Sequence, residues 1–363
     1  MSEWPSWLPI RDELRELSPY GAPQLDVPVR LNTNENPYQL SEPLQQALER
    51  AIASTLRNLN RYPDRDAIEL RSQLARSITE STGVALDQSW VWPANGSNEI
   101  IQSIYLAFAG DALGFEPSYS MHPLIARTVG KKWHSISRDA NFQIDLASAA
   151  QAINSSSARL VFLTTPNNPT GGATSIEEIR ELAAVTAQCG AILIVDEAYA
   201  EFSSERSAVT LIKEFPNLLV SRTMSKAFAF AGARLGYLIA NPKVIEAMLL
   251  VRLPYHLSAL TQSAALGALC MRSELGKDVI GLRESRDLLA AELRNLGLSV
   301  LPSQANFLLF GGFKMPAAEL WQALVSRGVL IRDVGIAGHL RVTVGTRAEN
   351  RAFLDALSEL VRG

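Results

Sequence analysis

The sequence predicts an α/β protein with a large domain, built on a mostly parallel sheet between helices, and a smaller α+β domain. Three observations support this prediction. The middle of the chain alternates short apolar runs with amphipathic helical patterns. The runs are almost continuously hydrophobic, as expected of strands that helices cover on both faces. The 363 residues also exceed the size that one hydrophobic core usually serves, which favours two domains.

The first 40 residues are interrupted by prolines and predict a short helix followed by an extended arm. From Ser41 to about Leu59 the sequence is amphipathic and predicts a helix. Ser41 is suited to the N-cap, and Pro43 to the first turn.

The central apolar runs predict buried strands at residues 159–165 (RLVFLTT), 191–196 (AILIVD), 218–222 (LLVSR) and 236–240 (GYLIA). Between the first two, the stretch 175–189 predicts a helix that ends at Gly190. Ligands of such sheets bind beyond the carboxyl ends of the strands. We therefore expect the functional site at that edge.

After Arg252 the pattern changes to long helices, at residues 258–270 and about 275–296. An alternating strand follows at 305–310 (ANFLLF), then a helix, the strands VLIRDV and LRVTVG, and a final helix. We expect a large domain over residues 41–250. The small domain is expected to combine the arm, residues 1–40, with residues 251–363.

Composition and charge exclude several classes of protein. The net charge of −3 and the pI of about 5.9 provide no basic surface for nucleic acid or an anionic membrane. No apolar run approaches the roughly 20 residues of a membrane span, and the N-terminus has no apolar signal-peptide core. We expect a cytoplasmic protein.

The sequence also argues against metal and nucleotide chemistry. HExxH, GxGxxG and GxxxxGK[ST] motifs are missing, which disfavours metalloenzymes, dehydrogenases and nucleotide-driven enzymes. Cys189 and Cys270 cannot form a disulfide framework and show no metal-ligand spacing. Both are expected to be buried in a reducing compartment.

Three polar motifs stand at predicted strand ends. Residues 95–99 (NGSNE) open a helical pattern, which is either an anion site made by free backbone N–H groups or a plain helix cap. Residues 165–172 (TPNNPTGG) form a turn, which either has no chemical role or positions the amide of Asn168 to donate to a ligand oxygen. Asp196, followed by Tyr199, ends a buried strand, so it either meets a cationic ring nitrogen or caps the next turn.

The fourth motif, SRTMSKAFAFAGARLG at 221–236, surrounds a lysine with apolar residues, hydroxyls and an arginine. Lys226 is either a surface lysine or an amine activated by desolvation and by nearby Arg234. Thr223, Ser225 and Arg234 are groups that bind phosphate oxygens. An amine, an acid, an amide, a phenol and a phosphate cradle together are what pyridoxal phosphate requires.

The order of these motifs resembles fold-type I aminotransferases, and the wider match resembles histidinol-phosphate aminotransferases. The matching segments are LNTNENP (31–37), RYPD (61–64), NGSNE (95–99), PSYSM (117–121), PNNPTG (166–171), VDEAY (195–199), TMSKAF (223–228), ARLGY (233–237) and LRVTVGT (340–346). The resemblance implies a fold-type I pyridoxal-phosphate-dependent transferase with a seven-stranded sheet. It also implies a homodimer, and transamination between L-histidinol phosphate and 2-oxoglutarate in L-histidine biosynthesis.

The same motifs leave other activities open. Aromatic amino-acid aminotransferases and phosphothreonine decarboxylases resemble this sequence in most of these segments. A more distant alternative is a non-catalytic cofactor-binding regulator or interaction protein. Such regulators usually carry a DNA-binding segment, and no basic helical appendage is present in this sequence.

The resemblance implies a role for each cofactor-site residue. Lys226 matches the lysine that binds the cofactor aldehyde and moves the substrate proton, and Asp196 matches the partner of the pyridine nitrogen. Asn168 and Tyr199 match the pair that binds the phenolic oxygen, and Tyr119 the stacking aromatic. The implied phosphate cradle consists of Ser97, Asn98, Thr223, Ser225 and Arg234, joined by Tyr62 from the partner subunit.

Substrate-binding roles are implied in the same way. Arg341 resembles the arginine that binds the carboxylate of glutamate or 2-oxoglutarate. Arg332 either helps to bind the phosphate of the other substrate or forms a surface ion pair. Tyr20 and Asn34, from the arm, are expected to line the same pocket. His122 stands where many family members have tyrosine, and we expect it near the pocket without a catalytic role; His134, His256 and His339 are expected to be structural or surface residues.

Overall fold

The computed structural model describes residues 4–362, in which helices and strands alternate. The strands are β1 (Val29–Arg30), β2 (Val91–Ala94), β3 (Asp111–Glu116), β4 (Trp133–Ser137), β5 (Ala158–Thr164), β6 (Ile192–Asp196), β7 (Leu218–Thr223), β8 (Gly236–Ile239), β9 (Ser299–Val300), β10 (Phe307–Gly311), β11 (Val329–Leu330) and β12 (His339–Thr343). The helices are α1 (Asp12–Arg15), α2 (Glu42–Leu56), α3 (Ile68–Thr82), α4 (Ser97–Ala107), α5 (Met121–Thr128), α6 (Leu146–Ser155), α7 (Ile176–Gln188), α8 (Pro242–Val251), α9 (Ala259–Cys270), α10 (Val279–Asn295), α11 (Ala317–Ser326) and α12 (Arg347–Arg362).

Seven strands form the large sheet, in the order β2-β8-β7-β6-β5-β3-β4. β8 runs antiparallel to both of its neighbours, β2 and β7, whereas the other four pairs of neighbouring strands are parallel, so the predicted, mostly parallel α/β fold is confirmed. The four predicted central strands correspond to β5, β6, β7 and β8.

Helices cover both faces of this sheet. Along β6, Leu193 and Val195 pack into a core with α2, α3 and α7, whereas Ile194 packs into a second core with α4, α5 and α8. Successive side chains of a strand point to opposite faces, and here both faces are apolar and buried. This double burial is the reason that the strands read as continuous hydrophobic runs.

The predicted helix at 175–189 forms as α7, and its start has a clear physical cause. The Ser175 hydroxyl accepts the Glu178 N–H, while the Glu178 carboxylate accepts the Ser175 N–H, which makes a complete capping box. Gly190, in the left-handed region at φ 62°, follows the C-cap residue Cys189 and ends the helix.

The C-terminal region builds a separate three-stranded antiparallel sheet, in the order β12-β10-β9. Its core includes Leu289 of α10, Leu320 of α11 and Phe353 of α12. The arm joins this region, because β1 pairs in parallel with β11 and Leu31 enters the same core. The predicted boundary near residue 250 stays a prediction; α9, which lies beyond it, packs on α2 and on the core of the large sheet.

Two further expectations concern the surface. Burial of both cysteines is wrong, because Cys270 at the end of α9 is exposed and Cys189 is half-buried. Within residues 4–362, every helix is too short or too polar to span a membrane.

We expect Gly236→Ala to destabilise the fold, because a Cβ there would lie 2.6 Å from the Gly96 carbonyl carbon and 2.7 Å from the Ser97 nitrogen. Overpacking of this kind costs about 1–3 kcal/mol in the free energy of unfolding. Gly281→Ala is the matched control, because this exposed position in α10 has no atom within 4 Å of the added methyl group. There, alanine should stabilise the helix by about 0.5–1 kcal/mol. Urea unfolding would check both, and equal midpoints for the two variants would contradict the packing argument.

Candidate active site

A cavity of about 280 Å³ lies beyond the carboxyl ends of β5, β6 and β7. Thr164, Asp196 and Thr223, the last residues of these strands, all contribute to its wall. The arm and the C-terminal region close the other side. The wall includes the candidate residues Tyr20, Asn34, Ser97, Asn98, Tyr119, Asn168, Asp196, Tyr199, Thr223, Ser225, Lys226, Arg234, Arg332 and Arg341.

Lys226 follows the end of β7 by three residues and points its amine at the arm. Its Nζ donates to the carbonyl oxygen of Thr33 at 2.9 Å. Burial, together with the positive charges of Arg341 and Arg234, lowers the pKa of Lys226 to about 8. Near pH 8, the neutral fraction of this amine is therefore larger than that of an ordinary lysine. The neutral form is the nucleophilic one.

Asp196 is a buried carboxylate, 2% exposed. Its Oδ1 accepts the N–H of Ala198 at 3.2 Å, and its Oδ2 lies 3.2 Å from Nε2 of His122. Among residues 4–362, no lysine or arginine forms an ion pair with it. A carboxylate buried without a lysine or arginine partner is costly, so the site favours a ligand that brings a positive charge.

His122 was expected near the pocket, but its contact with Asp196 was missed. It lies in the first turn of α5, is 1% exposed, and packs against the rings of Phe162 and Tyr119. It is not part of the cavity wall and supports Asp196 from behind. No local sequence signal indicates this contact, because His122 and Asp196 lie on separate elements, 74 positions apart.

Tyr199 lies at the centre of a group of amides. The side-chain nitrogens of Asn34 and Asn168 lie 2.9 Å and 3.4 Å from its hydroxyl oxygen. Burial raises the pKa of Tyr199, so the phenol keeps its proton. The Tyr119 hydroxyl donates to Asn98 Oδ1 at 3.1 Å, and burial raises the pKa of that phenol as well.

One end of the cavity is suited to a phosphate. α4 begins there, and no side chain caps its first N–H groups. Gly96 allows a close approach, because a Cβ at this position would lie 2.6 Å from Nη2 of Arg234. The hydroxyls of Thr223 and Ser225, 2.9 Å apart, line the same end. Amide, hydroxyl and guanidinium donors around one small space fit the phosphate of pyridoxal phosphate.

The opposite end carries two arginines. Arg341 is 6% exposed, donates to Asn168 Oδ1 and to the Asn32 carbonyl oxygen, and lies over the Phe307 ring. Its buried Nε has no partner among the described residues. Burial lowers the pKa of Arg341 to about 10, so the group is still a cation at neutral pH. An orphaned buried donor of this kind fits a carboxylate ligand.

Arg332 lies over the Tyr20 ring, with 6.0 Å between the guanidinium carbon and the ring centroid. The alternative surface ion pair is not formed with any described residue. Asp333 and Val334, which no sequence motif indicated, line the cavity beside it.

Tyr62 is the one candidate outside this cavity. Its side chain is 79% exposed and stacks on Tyr255, with ring centroids 4.4 Å apart. His134, His256 and His339 also lie outside the cavity wall, as expected. Within the described part of the chain, histidine, cysteine and carboxylate side chains form no group able to hold a metal.

Comparison with known proteins finds relatives that match nearly the whole chain. A histidinol-phosphate aminotransferase of Corynebacterium glutamicum (strain R) is 53% identical over 359 residues, covering 98% of this chain and 97% of that protein. A crystal structure of a putative histidinol-phosphate aminotransferase from Erwinia carotovora atroseptica is 28% identical, with a TM-score of 0.83 and coverage of 95% and 99%.

A third relative is histidinol-phosphate aminotransferase from Sinorhizobium meliloti, solved in complex with pyridoxal 5'-phosphate. It is 24% identical, covers 98% of both chains and has a TM-score of 0.84, a likeness that shows the fold alone. The family model for aminotransferase class I and II matches residues 27–357. The chain therefore belongs to the class I and II aminotransferases.

Proposed function

We propose that this protein is a pyridoxal-phosphate-dependent transaminase. It transfers the amino group of L-histidinol phosphate to 2-oxoglutarate, which gives 3-(imidazol-4-yl)-2-oxopropyl phosphate and L-glutamate, and it also catalyses the reverse reaction. This reaction is a step of L-histidine biosynthesis. The observation that carries the choice of substrate is the 53% identity, over 98% of the chain, to a protein named histidinol-phosphate aminotransferase. The cavity supports the choice of cofactor, because its donors match each polar group of pyridoxal phosphate.

Bound pyridoxal phosphate supplies an aldehyde for covalent attachment and a protonated ring that accepts an electron pair from the substrate carbon. Lys226 Nζ is proposed to attach the aldehyde and then to carry the proton of the substrate carbon. Asp196, with His122 behind it, would hold the proton of the ring nitrogen. Tyr199 would donate to the ring oxygen, and Tyr119 would stack on the ring.

The remaining residues bind and orient. Ser97, Asn98, Thr223, Ser225 and Arg234 are proposed to hold the cofactor phosphate at the start of α4. Arg341 is proposed to bind the carboxylate of glutamate through its orphaned Nε and neighbouring N–H groups. Arg332 and Tyr20, at the outer end, would then meet the phosphate of histidinol phosphate.

We also propose a homodimer with shared active sites. Tyr62, Leu250, Leu253 and Tyr255 are exposed, at 79%, 86%, 73% and 40% respectively. Arg252 contacts Arg65 and Asp66, and the Tyr62 ring stacks on Tyr255, so the two segments lie side by side and their four exposed side chains make up the proposed apolar patch. A second copy would bury this patch and bring the partner subunit's Tyr62 to the phosphate end of the cavity.

A cytoplasmic location completes the proposal. Both organic phosphates of the reaction are charged, and charged groups do not cross an apolar membrane core unaided. The enzyme is therefore proposed to work in the compartment in which its substrates are made.

A half-reaction tests the substrate. Purified protein loaded with pyridoxal phosphate should convert its cofactor absorbance to that of the pyridoxamine form when histidinol phosphate is added. Phenylalanine, at the same concentration, should react far more slowly, and glutamate should react as the second donor. A preference for phenylalanine would instead indicate an aromatic aminotransferase, and turnover of phosphothreonine without any need for glutamate would indicate a decarboxylase.

The lowered pKa of Lys226 predicts how cofactor attachment depends on pH. The neutral amine attacks the aldehyde, so the attachment rate should rise about tenfold per pH unit below the pKa and level off above about 8. Borohydride trapping of the apoprotein mixed with cofactor would measure this rate. Lys226→Ala should trap none at this position, whereas Lys243→Ala, which changes an exposed lysine of α8, should behave as the unaltered protein. A rate that still rises at pH 10 would contradict the lowered pKa.

Mixing two damaged variants tests the shared site. Lys226→Ala removes the amine from its own cavity, and Tyr62→Ala removes the hydroxyl proposed to serve the partner's cavity. A hybrid dimer contains one cavity with both groups intact, so an equal mixture should regain about a quarter of the unaltered activity after random exchange. Sedimentation would verify that dimers form. Activity that stays at the level of the separate variants, although dimers exchange, would refute the sharing of Tyr62.

A further inference from the structure

Thr343, the last residue of β12, connects the small sheet to the cavity through Asn34. Both residues are buried, at 3% and 1% exposure. The backbone N–H of Asn34 donates to Thr343 Oγ1 at 3.0 Å, and Thr343 Oγ1 lies 3.0 Å from Asn34 Oδ1. The side chain of Asn34 is thus engaged, on the side away from the cavity, by a residue of the small sheet.

The backbone N–H of Asn34 fixes the direction of these hydrogen bonds, because it is a donor only. A backbone N–H only donates, so Thr343 Oγ1 accepts this bond and directs its own proton at Asn34 Oδ1. The amide nitrogen of Asn34 must then face Tyr199, 2.9 Å away. If the amide were turned over, the buried Thr343 proton would face no acceptor among the described residues, which is unfavourable.

This orientation decides what the Tyr199 hydroxyl is able to do. Its oxygen accepts N–H groups from Asn34 and from Asn168, at 2.9 Å and 3.4 Å. Two donors fill both acceptor positions of the phenol oxygen. The O–H proton of Tyr199 is therefore left to donate to a ligand in the cavity that this residue lines.

Residues 33–34 of the arm also contact Lys226, whose Nζ donates to the carbonyl oxygen of Thr33 at 2.9 Å. Asn34 has a left-handed backbone, at φ 57°, a conformation that asparagine adopts more readily than most other residues with a side chain. Asn306 of the C-terminal region donates to the Asn34 carbonyl oxygen at 3.1 Å. Together with Thr343 it holds residues 33–34 in place.

We propose that Thr343 is a positioning residue, which acts through Asn34 to direct the Tyr199 O–H at the ring oxygen of the cofactor. This inference rests on the proposed function. It changes the role expected for Asn34, whose amide is engaged by Thr343 and Tyr199 and orients the site instead of binding substrate.

Thr343→Val tests the inference, because valine has nearly the shape of threonine but no hydroxyl. The measured quantities are kcat, KM and the pH midpoint of the absorbance change of bound cofactor. We expect kcat to fall about ten- to a hundredfold, as for a misplaced catalytic group, with KM changed much less. We expect the pH midpoint to rise. A ring oxygen that loses a hydrogen-bond donor carries more negative charge, so the proton on the nitrogen that joins Lys226 to the cofactor is held more tightly.

Three further variants separate positioning from a general loss of stability. Thr343→Ser keeps the hydroxyl and should restore most of kcat and the original midpoint. Asn34→Asp has no N–H to offer, so the Tyr199 proton should turn to the carboxylate and the midpoint should again rise. Thr186→Val alters a threonine of α7 that is fully buried and hydrogen-bonded to Leu182, outside the cavity wall. It should lower the unfolding temperature without moving the midpoint.

The outcomes are distinguishable. If the unaltered protein binds no pyridoxal phosphate or transfers no amino group, the proposed function itself fails. If the unaltered protein works and Thr343→Val keeps its midpoint and kcat, the positioning role is wrong. The role is also wrong if Thr343→Val loses activity only in proportion to its folded fraction while its midpoint stays constant.

Discussion

The register of the central parallel strands is the constraint on which this site depends. Thr164 of β5, Asp196 of β6 and Ser221 of β7 are direct partners across the sheet, so these strands end at nearly the same level. Parallel strands send their chains out at one edge, and the segments that follow carry Asn168, Tyr199 and Lys226. Residues nearly 60 positions apart in sequence therefore meet around one cavity.

The cost of burying charge explains the polar contacts around this cavity. Asp196 is held by a backbone N–H and by His122, but by no described lysine or arginine, and Arg341 retains an orphaned Nε. Burying such charged groups without a partner costs free energy, and a ligand of opposite charge offsets that cost. The same burial brings the amine of Lys226 closer to neutrality. One physical cause, burial, thus acts on Asp196, Lys226 and Arg341, to which we assign the roles of ring-nitrogen partner, amine and carboxylate clamp in the proposed function.

The arm and the C-terminal region contribute more than a cover. Residues 33–34 contact both Lys226 and Tyr199, and they are held by side chains of the C-terminal region, Thr343 and Asn306. Movement of that region relative to the large sheet would therefore change the surroundings of the proposed amine and phenol together. Arg341 also donates to Asn168 and to Asn32, so substrate binding at Arg341 would alter the hydrogen bonds of these two residues as well.

Local sequence determined much of this protein, because strand burial, helix caps and strand-end motifs are properties of neighbouring residues. The apolar runs of β5 to β8, the capped helix α7, and the motifs around Asn168, Asp196 and Lys226 were all recognisable in this way. Only the tertiary structure decided the contacts between distant segments: His122 behind Asp196, Thr343 on Asn34, and α9 against α2. Sequence spacing carries no information on such pairs, since each depends on how separate elements pack. The exposure of Cys270 has the same origin, because the face of a helix that meets solvent is chosen by its neighbours.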